Sequence, residues 1–350
     1  MDFADNFQII KIFFLTVLSF VITIIWTPAL THFLYKYKLG KTIRDDVSAP
    51  VYSRLHQKKS GTPTMGGVLV WGTVLILALL FFYLGKLFNL EVLSDFNFLT
   101  RSETLLPLGA LIATAIIGLL DDFMNIKGIG PYGGGLKIRY RLLIYTVIAA
   151  VGAYWFYSKL DWDVLHVPFL GNYEIGLWYI PIFIIVIVAT SFSVNEIDGL
   201  DGLSGGTLLA AFGVYAAISF SQGRYDLATF CGVIVGALFA FLWFNIPPAR
   251  FFMGDTGAMA LGTTLGIVAM LTNTALVLPI IGLLFVIESL SVIIQLFSRR
   301  FFKKRVFLSA PIHHHLEASG WPETKIVMRF WIIAAVTSAM GLIIVLIDKS

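Results

Sequence analysis

The sequence predicts an all-α polytopic membrane protein with about ten transmembrane helices, both termini on the outer face and a small outer β-hairpin. Three observations carry this prediction. Hydrophobic residues make up 58% of the 350-residue chain and charged residues 13%, which lies outside the range of soluble domains. Apolar runs recur along the whole chain, and the basic residues fall on one side of them.

The apolar runs approach the roughly 17–25 residues that a membrane-spanning helix needs. The first lacks a small-residue cleavage site, so we interpret it as a span and not as a signal peptide. No segment is left for a soluble domain, and residues 1–350 are predicted to form a single integral membrane domain. The ten runs cover residues 9–34, 65–84, 104–120, 142–157, 177–193, 207–221, 227–244, 258–271, 275–297 and 330–347.

The distribution of Lys and Arg sets the predicted orientation. With the N-terminus outside, the inner loops hold 19 of the 25 basic residues, which places both termini outside. The net charge of +4 therefore indicates a basic inner face suited to phosphates and anionic lipids, and not a nucleic-acid partner. The one cysteine, Cys231, lies within a span and excludes a disulfide framework.

The first inner loop ends in K-K-S-G-T-P-T-M-G-G, and its two final glycines open the second span. Glycine-rich backbone beside lysines allows close approach of a phosphate. A flexible linker with surface lysines is the alternative. We favour that alternative for Lys58 and a function for Lys59, which is next to the turn.

The third span ends in G-L-L-D-D-F-M-N, which places Asp121 and Asp122 at the inner boundary. Adjacent carboxylates repel each other, so one of them is expected to need a cation or to take part in proton transfer. Helical geometry turns them about 100° apart, toward different partners. A helix-end cap is the alternative, although negative charge is disfavoured at a helix C-terminus.

Residues 164–177 alternate apolar and polar side chains around Gly171-Asn172 and predict the outer β-hairpin. We assign it no chemistry. The next inner loop reads N-E-I-D-G-L-D-G-L-S-G-G, and on a continuing helix Asn195, Asp198 and Asp201 would share a face. A polar turn that ends a helix is the alternative for this loop.

The loop N-I-P-P-A-R-F-F-M-G-D-T-G places Asp255 at the entrance of the eighth span. A carboxylate at a helix N-terminus is a common cap. Asp255 is, however, the third acidic motif at the same boundary, which favours a functional interpretation.

The ninth run contains Glu288 and Gly282 and is predicted to bend or to face a protein groove. The basic stretch that follows leads into A-P-I-H-H-H, residues 310–315. Adjacent imidazoles rarely reach one ion, and the hard carboxylates nearby favour Mg²⁺ over zinc. We therefore expect His313, His314 and His315 to hydrogen-bond phosphate or sugar oxygens.

In this order, the five inner motifs closely resemble those of the phospho-N-acetylmuramoyl-pentapeptide-transferase family, from about Arg54 to Trp331 and including G-W-P-E at residues 320–323. The sequence departs from the family at Glu196-Ile197, where Leu-Thr is usual. The resemblance implies a ten-helix, Mg²⁺-dependent and commonly dimeric enzyme of the bacterial inner membrane. Both termini and the hairpin would then be periplasmic and the active site cytoplasmic.

The implied reaction transfers phospho-MurNAc-pentapeptide from its UDP carrier to undecaprenyl phosphate in the lipid bilayer, giving lipid I and UMP. By family analogy, Asp255 is the metal ligand, and Asp121 or Asp122 deprotonates or orients the lipid phosphate. The analogy leaves open direct attack or a covalent aspartyl intermediate. The remaining implied contacts are Lys59 and His314 on the phosphate side, Asn195, Asp198 and Phe252 on the uridine side, and Asp201, His313 and His315 elsewhere on the substrate.

Two alternatives are a polyprenyl-phosphate GlcNAc-1-phosphate transferase and a secondary transporter. A-P-I-H-H-H and G-W-P-E favour the muramoyl branch over the first. A transporter predicts carboxylates near the bilayer midplane and an internal repeat. The sequence instead has its carboxylates at one boundary and no convincing repeat.

Overall fold

A computed structural model of the chain describes residues 3–40, 59, 61–88, 94–101, 103–130 and 134–348. Within these ranges the fold is mostly helical, and nine helices are long and apolar enough to cross a membrane. Their ranges are Asn6–Lys36, Val68–Leu87, Leu105–Ile126, Ile138–Lys159, Gly176–Ile197, Leu203–Ser221, Tyr225–Asn245, Gly254–Leu271 and Glu323–Asp348. The inner-loop residues Lys41, Arg44, Arg54, Lys58 and Ser60 lie outside the described residues.

The helices follow the predicted apolar runs, with ends that differ by a few residues. The bounds are α1 Phe3–Lys36, α2 Val68–Phe88, α3 Leu105–Ile126, α4 Ile138–Lys159, α5 Tyr179–Ile197, α6 Leu203–Ser221, α7 Tyr225–Asn245, α8 Gly254–Leu271, α9 Leu278–Ile281, α10 Leu283–Phe301, α11 Ile312–Ala318 and α12 Glu323–Asp348.

Helix α8 lies at the centre of the bundle, packed between α3 and α5. All of its residues except Asp255 are buried, which its small side chains and glycines permit. Its start lies very close to α3, since a Cβ atom at Gly118 would lie 2.5 Å from the Cα of Thr256. Gly118 therefore allows the last two turns of α3, which carry Asp121 and Asp122, to approach the first turn of α8.

The predicted ninth span, residues 275–297, forms two helices. The short α9 ends at Gly282, whose φ of −102° and ψ of 37° are not helical, and α10 begins directly after it. The bend expected in this run is confirmed. Helix α10 ends in Arg299 and Arg300 and is not one of the nine candidate spans of the described residues.

The predicted hairpin is also confirmed. Strands β1, Val164–Val167, and β2, Gly171–Glu174, pair antiparallel, with His166 opposite Asn172. His166 Nε2 contacts the carboxylate of Asp348, and the Phe169 amide donates to the same carboxylate at 2.6 Å. The hairpin is thus joined to the end of α12.

The motif loops meet at one end of the bundle, opposite the hairpin. The side chain of Lys59 reaches Asp201, and Thr64 reaches Asp122. Asn195 contacts Asp255, and the ring of His313 lies against Gly199. The prediction that these motifs share one face is therefore confirmed for their described parts.

Candidate active site

Four helix ends meet at the centre of this face. Asp121 lies in the next-to-last turn of α3, Arg141 in the first turn of α4, Asn195 near the end of α5 and Asp255 in the first turn of α8. Each of these helices is buried in the bundle along part of its length, which fixes the positions of the polar side chains at their ends.

The guanidinium of Arg141 connects this cluster. Its Nη2 lies 2.7 Å from Asp121 Oδ2 and 3.0 Å from Asp255 Oδ2, and its Nη1 donates to Asn195 Oδ1 at 2.8 Å. The Asn195 amide donates from Nδ2 to Asp255 Oδ1 at 2.6 Å. Two carboxylates thus share one cation, and the Asn195 amide fixes the orientation of Asp255.

Asp121 and Asp122 face different partners, as their adjacent positions on a helix predicted. Asp121 is fully buried and also accepts from the Leu136 amide at 2.6 Å. Asp122 accepts from the backbone amides of Asp255 and Thr256 at 3.1 and 3.0 Å. These amides belong to the exposed set that an N-cap satisfies, so the carboxylate of Asp122 caps α8.

Met253, at the N-cap position of α8, makes no side-chain cap bond. The carboxylate of Asp122 caps α8 from α3, so a cap at this helix start does not require the carboxylate of Asp255. The carboxylate of Asp255 contacts Arg141 and Asn195.

Asn195, Asp198 and Asp201 do not share one helix face, because α5 ends at Ile197. Gly202, with φ of 80°, lies in a turn before α6 begins. As a result Asn195 joins the Arg141 cluster, Asp198 accepts from Ser204 Oγ at 2.6 Å, and Asp201 joins a second cluster. The turn alternative describes this loop correctly.

The second cluster contains Lys59. Its Nζ contacts Asp201 Oδ1 at 2.7 Å and Glu323 Oε1 at 2.5 Å. Burial alone would lower the pKa of Lys59, but the two carboxylates outweigh it and raise the pKa above its ordinary value. Lys59 is therefore a cation at neutral pH, with a side chain that is 22% exposed.

Asp201 also accepts from the Ala249 amide at 3.1 Å and so connects two motif loops. Asn245 does the same from α7, because it accepts from the Gly202 amide at 2.9 Å and donates to the Phe251 carbonyl at 2.8 Å. Phe252 continues this loop, where its own amide donates to the Pro63 carbonyl at 2.8 Å. These bonds hold the glycine-rich loops in place around the aspartates.

The three histidines have three different partners. His313 Nδ1 pairs with Glu288 at 2.9 Å, both fully buried, while His314 Nδ1 pairs with Glu317 at 2.8 Å. His315 Nδ1 accepts from the Leu308 amide at 3.2 Å. Burial alone would lower the pKa of His313, but the charge and hydrogen bond of Glu288 raise it.

No group of three or more His, Cys, Asp or Glu side chains is placed to hold a metal ion within the described residues. The donors of the Arg141 cluster nevertheless fit Mg²⁺, which is commonly bound through one or two carboxylates completed by water and substrate phosphates. Asp255 and Asp121 supply such oxygens, and both already contact a single cationic nitrogen. The imidazoles of His313 and His314 belong to separate ion pairs.

Arg141, Asn245 and Glu323 were not singled out from the sequence. Arg141 follows Lys137 and Arg139 in K-I-R-Y-R, and nothing in that pattern distinguishes the residue that turns inward. In the structure Arg139 lies on the neighbouring Tyr140 ring, while Arg141 reaches the aspartates. Glu323 had a signal, because it belongs to the G-W-P-E motif.

Two family models match the chain. Residues 104–273 match glycosyl transferase family 4, and residues 59–69 match signature 1 of the phospho-N-acetylmuramoyl-pentapeptide-transferases. These ranges include Lys59, Asp121, Arg141, Asn195 and Asp255, and therefore most of the site.

Curated relatives extend the similarity over nearly the whole chain. A phospho-N-acetylmuramoyl-pentapeptide-transferase of Chloroflexus aggregans is 39% identical, covering 95% of this chain and 89% of the relative. The enzyme of that name from Geobacillus sp. (strain WCH70) is 41% identical, covering 94% of this chain and 96% of the relative. The enzyme of that name from Clostridium novyi is 37% identical, covering 92% of this chain and 93% of the relative.

A helical membrane bundle with acidic and basic side chains gathered at one end, and with a glycosyl transferase match through its centre, defines a membrane-embedded glycosyl transferase. Within that class, the sequence identity to the curated relatives over most of the chain decides the family. The chain belongs to the phospho-N-acetylmuramoyl-pentapeptide-transferase family.

Proposed function

We propose that the protein transfers phospho-MurNAc-pentapeptide from UDP-MurNAc-pentapeptide to undecaprenyl phosphate, giving lipid I and UMP for peptidoglycan synthesis. The observation that carries the proposal is the pair of carboxylates, Asp121 and Asp255, at the end of the bundle in a chain of this family. A lipid-borne phosphate and a soluble nucleotide-sugar meet at such a boundary.

The reaction forms a bond between an oxygen of the lipid phosphate and the phosphorus that carries the sugar. The diphosphate P–O bond to the uridine monophosphate breaks, and UMP leaves with those electrons. Asp121 is the group we assign to accept a proton from the lipid phosphate or to orient it. Asp122 is assigned to positioning, since its carboxylate is used by the amides of α8.

We propose that Asp255 holds a magnesium ion. Such an ion would neutralise the donor diphosphate and the charge that develops on UMP. Asn195 fixes the orientation of the Asp255 carboxylate through its bond from Nδ2.

The other side chains are proposed as substrate contacts. Lys59 is held at the surface of the site by Asp201 and Glu323 and faces the phosphates as a cation. His314 contributes on the phosphate side, and Asp198 and Phe252 on the uridine side. His313 and His315 hold the histidine loop, through Glu288 and the Leu308 amide, against the turn that follows α5.

We further propose that the protein lies in the bacterial cytoplasmic membrane as a homodimer, with this site on the cytoplasmic face. The excess of Lys and Arg in the loops of that end supports the orientation. The positions of the carboxylates disfavour the transporter alternative, since Asp121 and Asp255 lie at helix ends and not at mid-span.

The decisive experiment supplies purified protein with undecaprenyl phosphate, Mg²⁺ and one of two donors. With UDP-MurNAc-pentapeptide we expect release of UMP together with a lipid-linked muramoyl-pentapeptide. UDP-GlcNAc is the matched donor control and should give neither product. Turnover of UDP-GlcNAc alone would instead assign the protein to the GlcNAc-1-phosphate branch.

A further inference from the structure

The guanidinium of Arg141 lies between the carboxylates of Asp121 and Asp255. Its Nη2 contacts Asp121 and Asp255 at 2.7 and 3.0 Å. Its Nη1 donates to Asn195, which in turn orients Asp255. Every described side chain of the cluster therefore converges on this guanidinium.

The ion pair lacks the geometry of a permanent one. Strong Arg–carboxylate pairs are bidentate, with two parallel N–H bonds to one carboxylate. Here a single nitrogen serves both carboxylates. Within the described part of the chain, the buried Nε–H of Arg141 has no acceptor at all. The guanidinium thus makes fewer bonds to the aspartates than its five N–H groups allow.

The charges also favour replacement of the Arg141 guanidinium by a divalent ion. Two carboxylates meet one monovalent cation, so a divalent ion would neutralise the pair more completely. Arg141 is 22% exposed and Asp255 12%, whereas Asp121 is fully buried. The Asp255 side of the pair is consequently the side from which a hydrated ion can approach and the guanidinium can withdraw.

We propose that Arg141 is a built-in counter-cation that competes with the divalent metal ion for Asp255. In the absence of metal it stabilises the two carboxylates in their working positions. When the ion binds, the guanidinium leaves Asp255 and keeps its contact with Asp121. The inference rests on the proposed metal role of Asp255, and Arg141 is a positioning residue under this proposal.

The test measures the Mn²⁺ affinity of the substrate-free protein. Electron paramagnetic resonance gives the concentration of unbound Mn²⁺ at each point of a titration. Because Arg141→Gln removes the competing charge-assisted contact, it should bind Mn²⁺ about tenfold more tightly than the wild type. Arg141→Lys keeps a cation that can pair with only one carboxylate at a time and should be intermediate. Mn²⁺ should also raise the Tm of Arg141→Gln more than that of the wild type.

Arg139→Gln is the matched control, since it removes the same charge from the same helix without touching the aspartates. It should leave Mn²⁺ affinity unchanged. The increase in Mn²⁺ affinity should be absent from the double variant that combines Arg141→Gln with Asp255→Asn. Equal or weaker Mn²⁺ binding by both Arg141 variants, or an equal gain in Arg139→Gln, would overturn the competition. The UMP-release assay tests the transferase activity separately, so the two proposals fail independently.

Discussion

The carboxylate of Asp122 accepts a hydrogen bond from the backbone amide of Asp255 at 3.1 Å. One acidic motif therefore caps the helix that carries the other, and a second bond from the Thr256 amide at 3.0 Å completes the cap. The close approach that this requires depends on Gly118, one turn earlier in α3. The carboxylate of Asp255 itself contacts Arg141 and Asn195.

Replacement of Asp122 should therefore act mainly on structure. We expect Asp122→Ala to lower the free energy of unfolding by about 0.5–2 kcal/mol, the usual effect of losing an N-cap side chain. Asp122→Asn retains a hydrogen-bond acceptor, so its free energy of unfolding should fall by less. Thermal unfolding in detergent measures both. An alanine variant as stable as the wild type would show that this cap contributes nothing.

Much of this arrangement could be predicted from the sequence, because long apolar runs and basic loops report directly on spans and on sides of a membrane. The hairpin at Gly171, the bend at Gly282 and the clustering of the motifs were all expected. The partners of individual carboxylates were not, since they depend on contacts between distant helices. The division of labour between Asp121 and Asp122 required the position of α8 against α3.

Other differences have local causes. The shared face of Asn195, Asp198 and Asp201 assumed a continuing helix, but α5 ends at Ile197 and a turn through Gly202 follows. Arg141 could not be separated from Arg139 in sequence, because their different directions are set by the start of α4 against the aspartates.

The histidine loop offers a second prediction. His314→Ala should lower the turnover number while the protein stays folded, because the side chain retains 10% exposure and its ion pair with Glu317 lies within the same short helix. Steady-state kinetics of UMP release, with Tm as the control for folding, measure this. Unchanged turnover at an unchanged Tm would remove His314 from the phosphate side.

The pair formed by Glu288 and His313 should make stability depend on pH. Glu288 raises the pKa of His313 above the ordinary value of about 6.5, so the pair stabilises fully below that pH and loses its effect as the pH rises through the raised pKa. Glu288→Gln should therefore cost the most stability near about pH 6 and progressively less toward about pH 9.

The comparison uses the difference in Tm between Glu288→Gln and the wild type at each pH. This difference cancels the titration of other histidines, such as His166 in the hairpin. A difference that stays constant, or that grows with pH, would contradict a charged pair at this position.

Orientation can be tested in intact cells with single cysteines. Ser309, in the histidine loop, lies at the active-site end, and Ser158 lies near the outer end of α4. We expect an impermeant thiol reagent to label Ser158→Cys and not Ser309→Cys. The native Cys231 is fully buried, so its background labelling should be low. Labelling of Ser309→Cys from outside would reverse the proposed orientation.

Asp255 and Asp121 should differ in how they affect metal binding. Asp255→Asn keeps the size of the side chain but removes the charge that a hard cation needs, so its Mn²⁺ affinity should fall sharply. Asp121→Asn should lose turnover and retain more of that affinity, because Asp121 is assigned to the lipid phosphate. Equal losses of affinity would show that the two carboxylates hold the ion jointly.

The most direct test of the account is the turnover of Asp255→Asn in the UMP-release assay with UDP-MurNAc-pentapeptide, undecaprenyl phosphate and saturating Mg²⁺. Because the cap of α8 comes from Asp122, the variant should keep a Tm close to that of the wild type. We predict that turnover falls by a factor on the order of 10²–10³, in the range lost when one electrostatic stabiliser of a transition state is removed. An Asp255→Asn protein that folds normally and retains substantial turnover would contradict the central role of this carboxylate.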